Sequence, residues 1–151
     1  MIVKASGVKK DKPVFSYGHF FLPHLPFYRD SLGKYNSIEY IADEAIVYKE
    51  RFLSYLKYTN TVITSLADSV IKYDPNSLII IMSDHGFKNY SNKQLYEPYN
   101  FDNFCAIRYK AKVLLPFRDK WSMVNLFPYI FNSFYNQNMP YLADSVVALR
   151  D

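Results

Sequence analysis

A short apolar run that stops at an acidic and a basic side chain constrains this chain more than any other feature. Five apolar residues, Leu78 to Met82, lead directly into the tetrapeptide Ser-Asp-His-Gly at residues 83–86. An apolar run without polar interruption predicts a strand that is buried on both faces of a sheet. Open α/β sheets bind ligands at the carboxyl ends of their strands, so Asp84 and His85 are predicted to lie at a functional edge.

The residue types at this edge suit a metal ion. Asp84 offers a hard anionic oxygen and His85 a borderline nitrogen, a pair that zinc and manganese accept. The dipeptide alone is equally compatible with a strand-to-turn junction in which Asp84 caps the next segment and His85 packs. Residues further upstream decide between the two interpretations.

The stretch upstream predicts a second strand and a proline-rich loop. Residues Pro13 to Phe21 are rich in aromatic side chains and alternate loosely, which is typical of a strand. Pro23 and Pro26 then exclude both a helix and a central strand around His24. From residue 27 to about 43 we expect a long loop with a turn at Gly33.

A long helix is predicted from about Glu44 to Tyr73, and Pro75 ends it. One stripe of residues on this helix recurs at steps of three and four and is predicted to be buried. We interpret Asn60, which lies in this stripe, as a core amide whose hydrogen bonds are satisfied. The stripe consists of Phe52, Leu56, Asn60, Ile63, Leu66, Ala67 and Val70.

Strand, helix and strand form a βαβ unit, in which the two strands are parallel. The loop of His24 and the turn of Asp84 and His85 should therefore emerge at the same edge and converge on one pocket. A flap over that edge is expected between Gly86 and Asn100.

The remaining sequence predicts one more strand and one more amphipathic helix. The strand covers about 103–109, and the helix runs from Lys120 to Tyr135 with Ser122 as its N-cap. Pro128 should kink this helix or shift its start.

Composition limits the class of protein. With 151 residues the chain is expected to form one domain, and a half-apolar, 19% aromatic composition excludes disorder. The single cysteine, Cys105, excludes an intramolecular disulfide framework and a cysteine-rich zinc site. Scattered tyrosines without an RNA-binding motif argue against a nucleic-acid partner. The net charge of +4 includes a basic group that is either a solvated leading segment or a surface for anionic lipid or polyanion. That group consists of Lys4, Lys9, Lys10 and Lys12.

His19 and His24-x-Pro26, together with the tetrapeptide at 83–86, resemble the sulfatase-like branch of the alkaline phosphatase superfamily. This branch contains arylsulfatases, phosphoethanolamine transferases and lipoteichoic acid synthases. The resemblance extends from about Pro13 to Leu142. It also includes Tyr55, Asn60 and the Ser-x-Val-Asn-x-Phe motif at 122–127.

The resemblance implies an incomplete, alkaline-phosphatase-like α/β fold, with a mostly parallel sheet and flanking helices. Residues 1–151 would form the carboxy-terminal portion of a sulfatase-like catalytic domain. Asp84 and His85 would each donate a ligand to a divalent metal, with zinc, manganese, calcium and magnesium as candidates. His24 would contact the transferred sulfuryl or phosphoryl group or protonate the leaving oxygen. His19 would line the pocket, although a packing histidine at a strand end fits equally well.

The sequence departs from the family pattern at the nucleophile. Family members use a threonine, serine or modified cysteine that opens a helix in the amino-terminal half. Twelve residues precede Pro13, and none of them lies in such a motif. Cys105 follows the metal turn and does not replace the sulfatase cysteine. We therefore expect a carboxy-terminal half, inactive alone, of a membrane-anchored parent with an extracytoplasmic catalytic domain.

Several functions remain open at this point. The first is a metal-dependent sulfatase-like hydrolase for sulfate or phosphate esters of a lipid or glycan. A phosphoethanolamine or phosphoglycerol transferase, a non-catalytic scaffold of the same fold and a small phosphatase with a metal-activated water are the alternatives. The expected partners are the ester substrate and an amino-terminal half of the same polypeptide. A nucleic-acid partner is not expected. An uncovered face of the strand at 78–82 would favour a homo-oligomer.

Overall fold

The computed structural model describes residues 3–4, 7–8, 11–43, 49–87, 101–110, 115–116 and 122–145. The chain divides into two compact units, Met1–Ile107 and Arg108–Asp151. The described elements of the first unit are helix α1 (Ile38–Ala42), helix α2 (Lys49–Tyr73), strand β1 (Ile79–Met82) and most of strand β2 (Cys105–Arg108). The second unit contains a 3-10 turn (Met123–Asn125) that leads into helix α3 (Leu126–Tyr135).

Helix α2 confirms the predicted long helix and its end. It spans 25 residues and stops at Tyr73, just before Asp74 and Pro75. Glu50 in its first turn and Lys72 in its last turn complement the helix dipole. The predicted start at Glu44 lies outside the described residues, as does nearly all of the flap expected before Asn100.

The interpretation of Asn60 is wrong. The buried residues of α2 are Tyr55 and Thr59, and Asn60 is exposed. Successive residues of a helix are rotated by about 100°, so the residue next to the buried Thr59 faces away from the core. None of the described helices is both long enough and apolar enough to cross a membrane.

The loop predicted between residues 27 and 43 is more ordered than expected. Helix α1 lies within it, and the Ser37 hydroxyl accepts a hydrogen bond from the Tyr40 backbone N–H at 3.2 Å. Before α1, an antiparallel bridge joins Arg29 to Tyr35 across a tight turn. Gly33 takes φ +83° there, which confirms the predicted glycine turn.

The predicted first strand is not a strand in the structure. Residues 13–21 belong to no helix or strand, and all of them are exposed. An alternating sequence becomes a strand only when a neighbouring strand pairs with it, and the described part of the chain supplies none here. The βαβ unit that depends on this strand is therefore absent from the described residues.

Strands β1 and β2 form a two-stranded antiparallel sheet. Both were expected from the sequence, but burial of β1 on both faces is wrong, since Met82 is 48% exposed. The other three residues of β1 are half-buried. The described elements support an α/β class, while the mostly parallel sheet stays a prediction.

Helix α3 begins where Pro128 allows it. The helix starts at Leu126, so Pro128 falls in the first turn, where no intrahelical N–H bond is needed. The predicted shift of the helix start is confirmed. Ser122 occupies the predicted N-cap position of the preceding 3-10 turn, but its side chain makes no capping bond.

Candidate functional site

The turn that carries Asp84 and His85 follows β1 directly and is tied to the start of β2. The Ser83 backbone N–H donates to the Phe104 carbonyl at 2.9 Å, and the Phe104 N–H donates to the Ser83 hydroxyl at 2.7 Å. The Ser83 oxygen thus extends the strand pairing by one more bond. Within the turn, the Asp84 Oδ1 accepts the His85 backbone N–H at 3.0 Å.

The ring of His85 is oriented by its neighbour in the chain. Its Nδ1 lies within hydrogen-bonding distance of the Gly86 carbonyl. A carbonyl only accepts, so Nδ1 carries the proton and Nε2 keeps the lone pair of the neutral ring. A backbone carbonyl in this position is the usual outer partner of a metal-binding histidine.

The Asp84 and His85 side chains together present two donor atoms. The His85 Nε2 and Asp84 Oδ2 atoms are 3.6 Å apart, which is too long for a hydrogen bond. The Asp84 side chain is 86% exposed and that of His85 is 35% exposed. One carboxylate oxygen and one imidazole nitrogen, adjacent and reachable from solvent, fit a divalent cation as part of its ligand set.

His24 is held in the same way as His85. Its Nδ1 lies 2.6 Å from the Leu25 carbonyl, so that Nδ1 is again the protonated nitrogen and Nε2 is available for chemistry. The His24 backbone N–H donates to the Phe21 carbonyl at 3.1 Å.

His19 is connected to His24 through an aromatic ring. The His19 ring stacks on Phe21 with centroids 5.1 Å apart, and Phe21 meets His24 edge-on at 6.4 Å. The Tyr17 hydroxyl lies 3.3 Å from the His19 Nδ1. Both histidines are exposed.

Three phenylalanines connect the two candidate segments to one position on α2. Phe27 follows His24 by three residues, and Phe87 follows His85 by two. Both rings contact Phe52 of α2, with centroid distances of 6.3 Å for Phe27 and 4.5 Å for Phe87. We call this group the phenylalanine bridge.

The structure therefore brings the predicted residues together in two pairs. Asp84 and His85 form one pair, and His19 and His24 form the other. Among the described residues, no three or more His, Cys, Asp or Glu side chains are grouped so that they could hold one metal ion. The predicted roles of the four residues stay predictions.

Sequence reasoning missed Ser83 and the phenylalanine bridge as structural supports of the candidate site. A signal for the bridge was present, because an aromatic residue lies just beyond each motif and Phe52 belongs to the helix stripe. The role of Ser83 had no such signal, since its partner is a backbone group 21 residues away.

Comparison with known proteins identifies the family. A family model described as sulfatase matches residues 1–123, a range that includes His19, His24, Asp84 and His85. The match begins before Pro13 and stops short of α3. No curated protein and no solved structure matches the chain. Since the family model covers most of the sequence, the chain belongs to the sulfatase family.

Proposed function

We propose that the chain is part of a metal-dependent hydrolase that cleaves sulfate or phosphate esters of a lipid or glycan. The phenylalanine bridge is the observation that carries this proposal. It attaches the segments of His24 and His85, which lie about 60 residues apart, to the same residue of α2. A site for ester cleavage needs both a charge-neutralising group and a proton donor near one substrate.

Asp84 and His85 would hold the metal through Oδ2 and Nε2. The oxygen–nitrogen pair favours zinc or manganese, and calcium and magnesium remain candidates. When bound, a divalent ion neutralises the charge that builds on the nonbridging oxygens of the transferred group. Two protein ligands leave positions for water, substrate and further protein groups.

His24 would donate a proton to the leaving-group oxygen. The Leu25 carbonyl keeps the proton on Nδ1, so the proton that is transferred is the one on Nε2 of the imidazolium form. As the ester bond breaks, the leaving oxygen takes this proton and the neutral ring retains the Nδ1–H bond to the carbonyl. His19, stacked on Phe21, would line the same pocket and limit the orientations of the Phe21 ring next to His24.

The nucleophile would come from an amino-terminal part of a longer polypeptide. No serine or threonine among the first twelve residues lies in a motif like that of the family nucleophile. The same part would complete the mostly parallel sheet, and a membrane anchor there would place the catalytic domain outside the cytoplasm. An alcohol acceptor in place of water would make the same site a phosphoethanolamine or phosphoglycerol transferase.

Calorimetric titration of zinc and manganese tests the metal site. The wild-type chain should bind weakly, and the Asp84→Ala/His85→Ala variant should lose the binding. Asp68→Ala, which removes an exposed carboxylate from α2, is the matched control and should bind like the wild type. Binding that survives the double substitution would refute the site, and no binding in the wild type would favour the scaffold.

A further inference from the structure

We infer that Phe52 is a positioning residue that couples the binding of a sulfate-like anion at His24 to metal binding at Asp84 and His85. The inference rests on the proposed function and adds a physical link between its two parts. Phe52 touches neither substrate nor metal in this account. It acts through the two rings that it holds.

The two ring contacts of Phe52 come from the two candidate segments, Phe27 from that of His24 and Phe87 from that of His85. Phe27, on the histidine side, is buried at 5% exposure and also contacts Tyr55 at a centroid distance of 5.8 Å. Phe87, on the metal side, contacts Phe52 at 4.5 Å. Phe27 is thus supported by two rings of α2, and Phe52 is the one of these rings that also contacts Phe87.

Short tethers transmit the position of these rings to the functional side chains. A residue spans at most about 3.6 Å, so the Cα of His24 lies within roughly 11 Å of the Phe27 Cα and that of His85 within roughly 7 Å of the Phe87 Cα. Pro26 stiffens the first tether further, because its ring fixes the backbone φ angle. A displaced Phe52 ring would therefore change the distance between the two pairs of site residues.

The local geometry of each pair is independent of Phe52. The Asp84 carboxylate accepts the neighbouring His85 N–H, the His85 ring bonds to Gly86, and the His24 ring bonds to Leu25. Each pair should keep its own affinity when Phe52 is shortened. What changes is the distance between the two pairs, and with it the factor by which a bound metal raises the affinity for an anion at His24.

This difference can be measured as a coupling factor. If zinc raises the affinity for an anion by a given factor, the anion raises the affinity for zinc by the same factor. Couplings of this kind are about 5-fold to 150-fold. A purely structural role of Phe52 would lower stability and leave the factor unchanged in the folded protein.

Sodium sulfate, titrated with and without saturating zinc, is the probe. The His24 ring resonance in NMR spectra reports sulfate binding, and calorimetry reports zinc binding. In the wild type, zinc should raise the sulfate affinity about 5-fold or more. In Phe52→Leu the factor should fall toward one, while zinc affinity without sulfate changes by less than about 2-fold.

Two further variants keep the outcome decisive. Phe87→Leu shortens the same link from the metal side, so it gives the answer if Phe52→Leu fails to fold. Phe134→Leu removes a ring that contacts Tyr109 at 4.6 Å in the second unit, and it should keep the wild-type factor. Wild-type coupling in folded Phe52→Leu or Phe87→Leu would overturn the inference, as would a factor of one in a wild type that binds zinc at Asp84 and His85. A wild-type chain that binds no zinc at Asp84 and His85 would refute the proposed function instead.

Discussion

At the scale of single residues, one local device sets the chemistry of two histidines. His24 and His85 each bond through Nδ1 to the carbonyl of the next residue, Leu25 and Gly86 respectively. The sequence marks both histidines as candidate site residues through their motifs, and their roles stay predictions. It could not predict which nitrogen is available, since that depends on the backbone conformation just after each histidine.

The left-handed turn at Gly33 gives a sharp prediction for one residue. An added Cβ would lie 2.8 Å from the Tyr58 Cε2, at a backbone φ of +83°. Gly33→Ala should therefore lower the free energy of unfolding by about 1–3 kcal/mol, through backbone strain and the displaced ring. Arg29 would be affected as well, because its side chain donates to the Gly33 carbonyl at 2.6 Å and lies over the Tyr58 ring.

Urea unfolding followed by circular dichroism measures this effect. Gly7→Ala is the control, since its new Cβ would be 3.3 Å from the Tyr73 ring without the positive φ. Equal urea midpoints for Gly33→Ala and Gly7→Ala would show that alanine introduces no backbone strain at the Gly33 turn.

The thiol of Cys105 provides a pH-dependent prediction. Burial raises the pKa of this thiol above its ordinary value, because the thiolate loses solvation. Reaction with iodoacetamide requires the thiolate, so alkylation of the folded chain should be slow at neutral pH. The rate should rise at a higher pH than it does for the chain unfolded in urea. The same pH profile in both states would contradict the effect of burial.

At the scale of elements, the 3-10 turn and α3 together hold the segment that follows them through two asparagines. The Asn125 side chain donates to the Leu142 carbonyl at 3.0 Å and accepts the Leu142 N–H at 2.9 Å. Asn132, two turns later on the same helical face, makes the same pair of bonds with Met139 at 2.9 and 2.7 Å. The later asparagine binds the earlier segment residue, so the segment runs antiparallel to the helix.

These asparagine-to-backbone hydrogen bonds were not predictable from the sequence, although the helix was. The apolar spacing of residues 123–134 indicates a helix on its own, because it follows the helical period. The asparagines bind backbone groups, which every residue of the segment offers equally. Only the folded path of the chain selects Met139 and Leu142 as their partners.

The two asparagines should differ in their effect on stability. Asn125 is 3% exposed, so Asn125→Ala would remove a buried side chain together with both of its bonds to Leu142. The expected loss is about 2–3 kcal/mol. Asn132 is less buried, and water can replace its side chain, so Asn132→Ala should cost about 1 kcal/mol or less.

Thermal and urea unfolding of the two single variants provide the comparison. Both substitutions replace asparagine by alanine, Asn125 at the N-cap of α3 and Asn132 within the helix, where alanine itself favours the helix by a few tenths of a kcal/mol. If Asn132→Ala destabilises the protein as much as Asn125→Ala does, then burial does not determine how much each pair of hydrogen bonds stabilises it.

At the scale of the whole molecule, the sequence predicted elements better than their pairing. The end of α2 before Pro75 and the location of β1 follow from local patterns that the structure confirms. The expected strand at residues 13–21 failed because a strand needs a partner, which is a non-local property that alternation does not encode. The phenylalanine bridge also depends on contacts between residues far apart in the chain. The sequence shows the three aromatic residues but not that their rings meet.

The same view of the molecule predicts that this chain alone hydrolyses no sulfate or phosphate ester. In the proposed function Asp84 and His85 would supply two metal ligands, and no serine or threonine among the first twelve residues lies in a motif like that of the family nucleophile. Aryl sulfate and aryl phosphate substrates with zinc or manganese should give rates equal to those of the metal in buffer. Hydrolysis by the wild type that disappears in His85→Ala would show instead that a metal-activated water suffices as nucleophile. If the chain is inactive, the proposed function requires that an amino-terminal sulfatase half bearing the nucleophile restore turnover when it is added, and His24→Ala should abolish the restored activity. Restored activity that survives His24→Ala would remove this histidine from the leaving-group step and leave the metal pair as the contribution of this chain to catalysis.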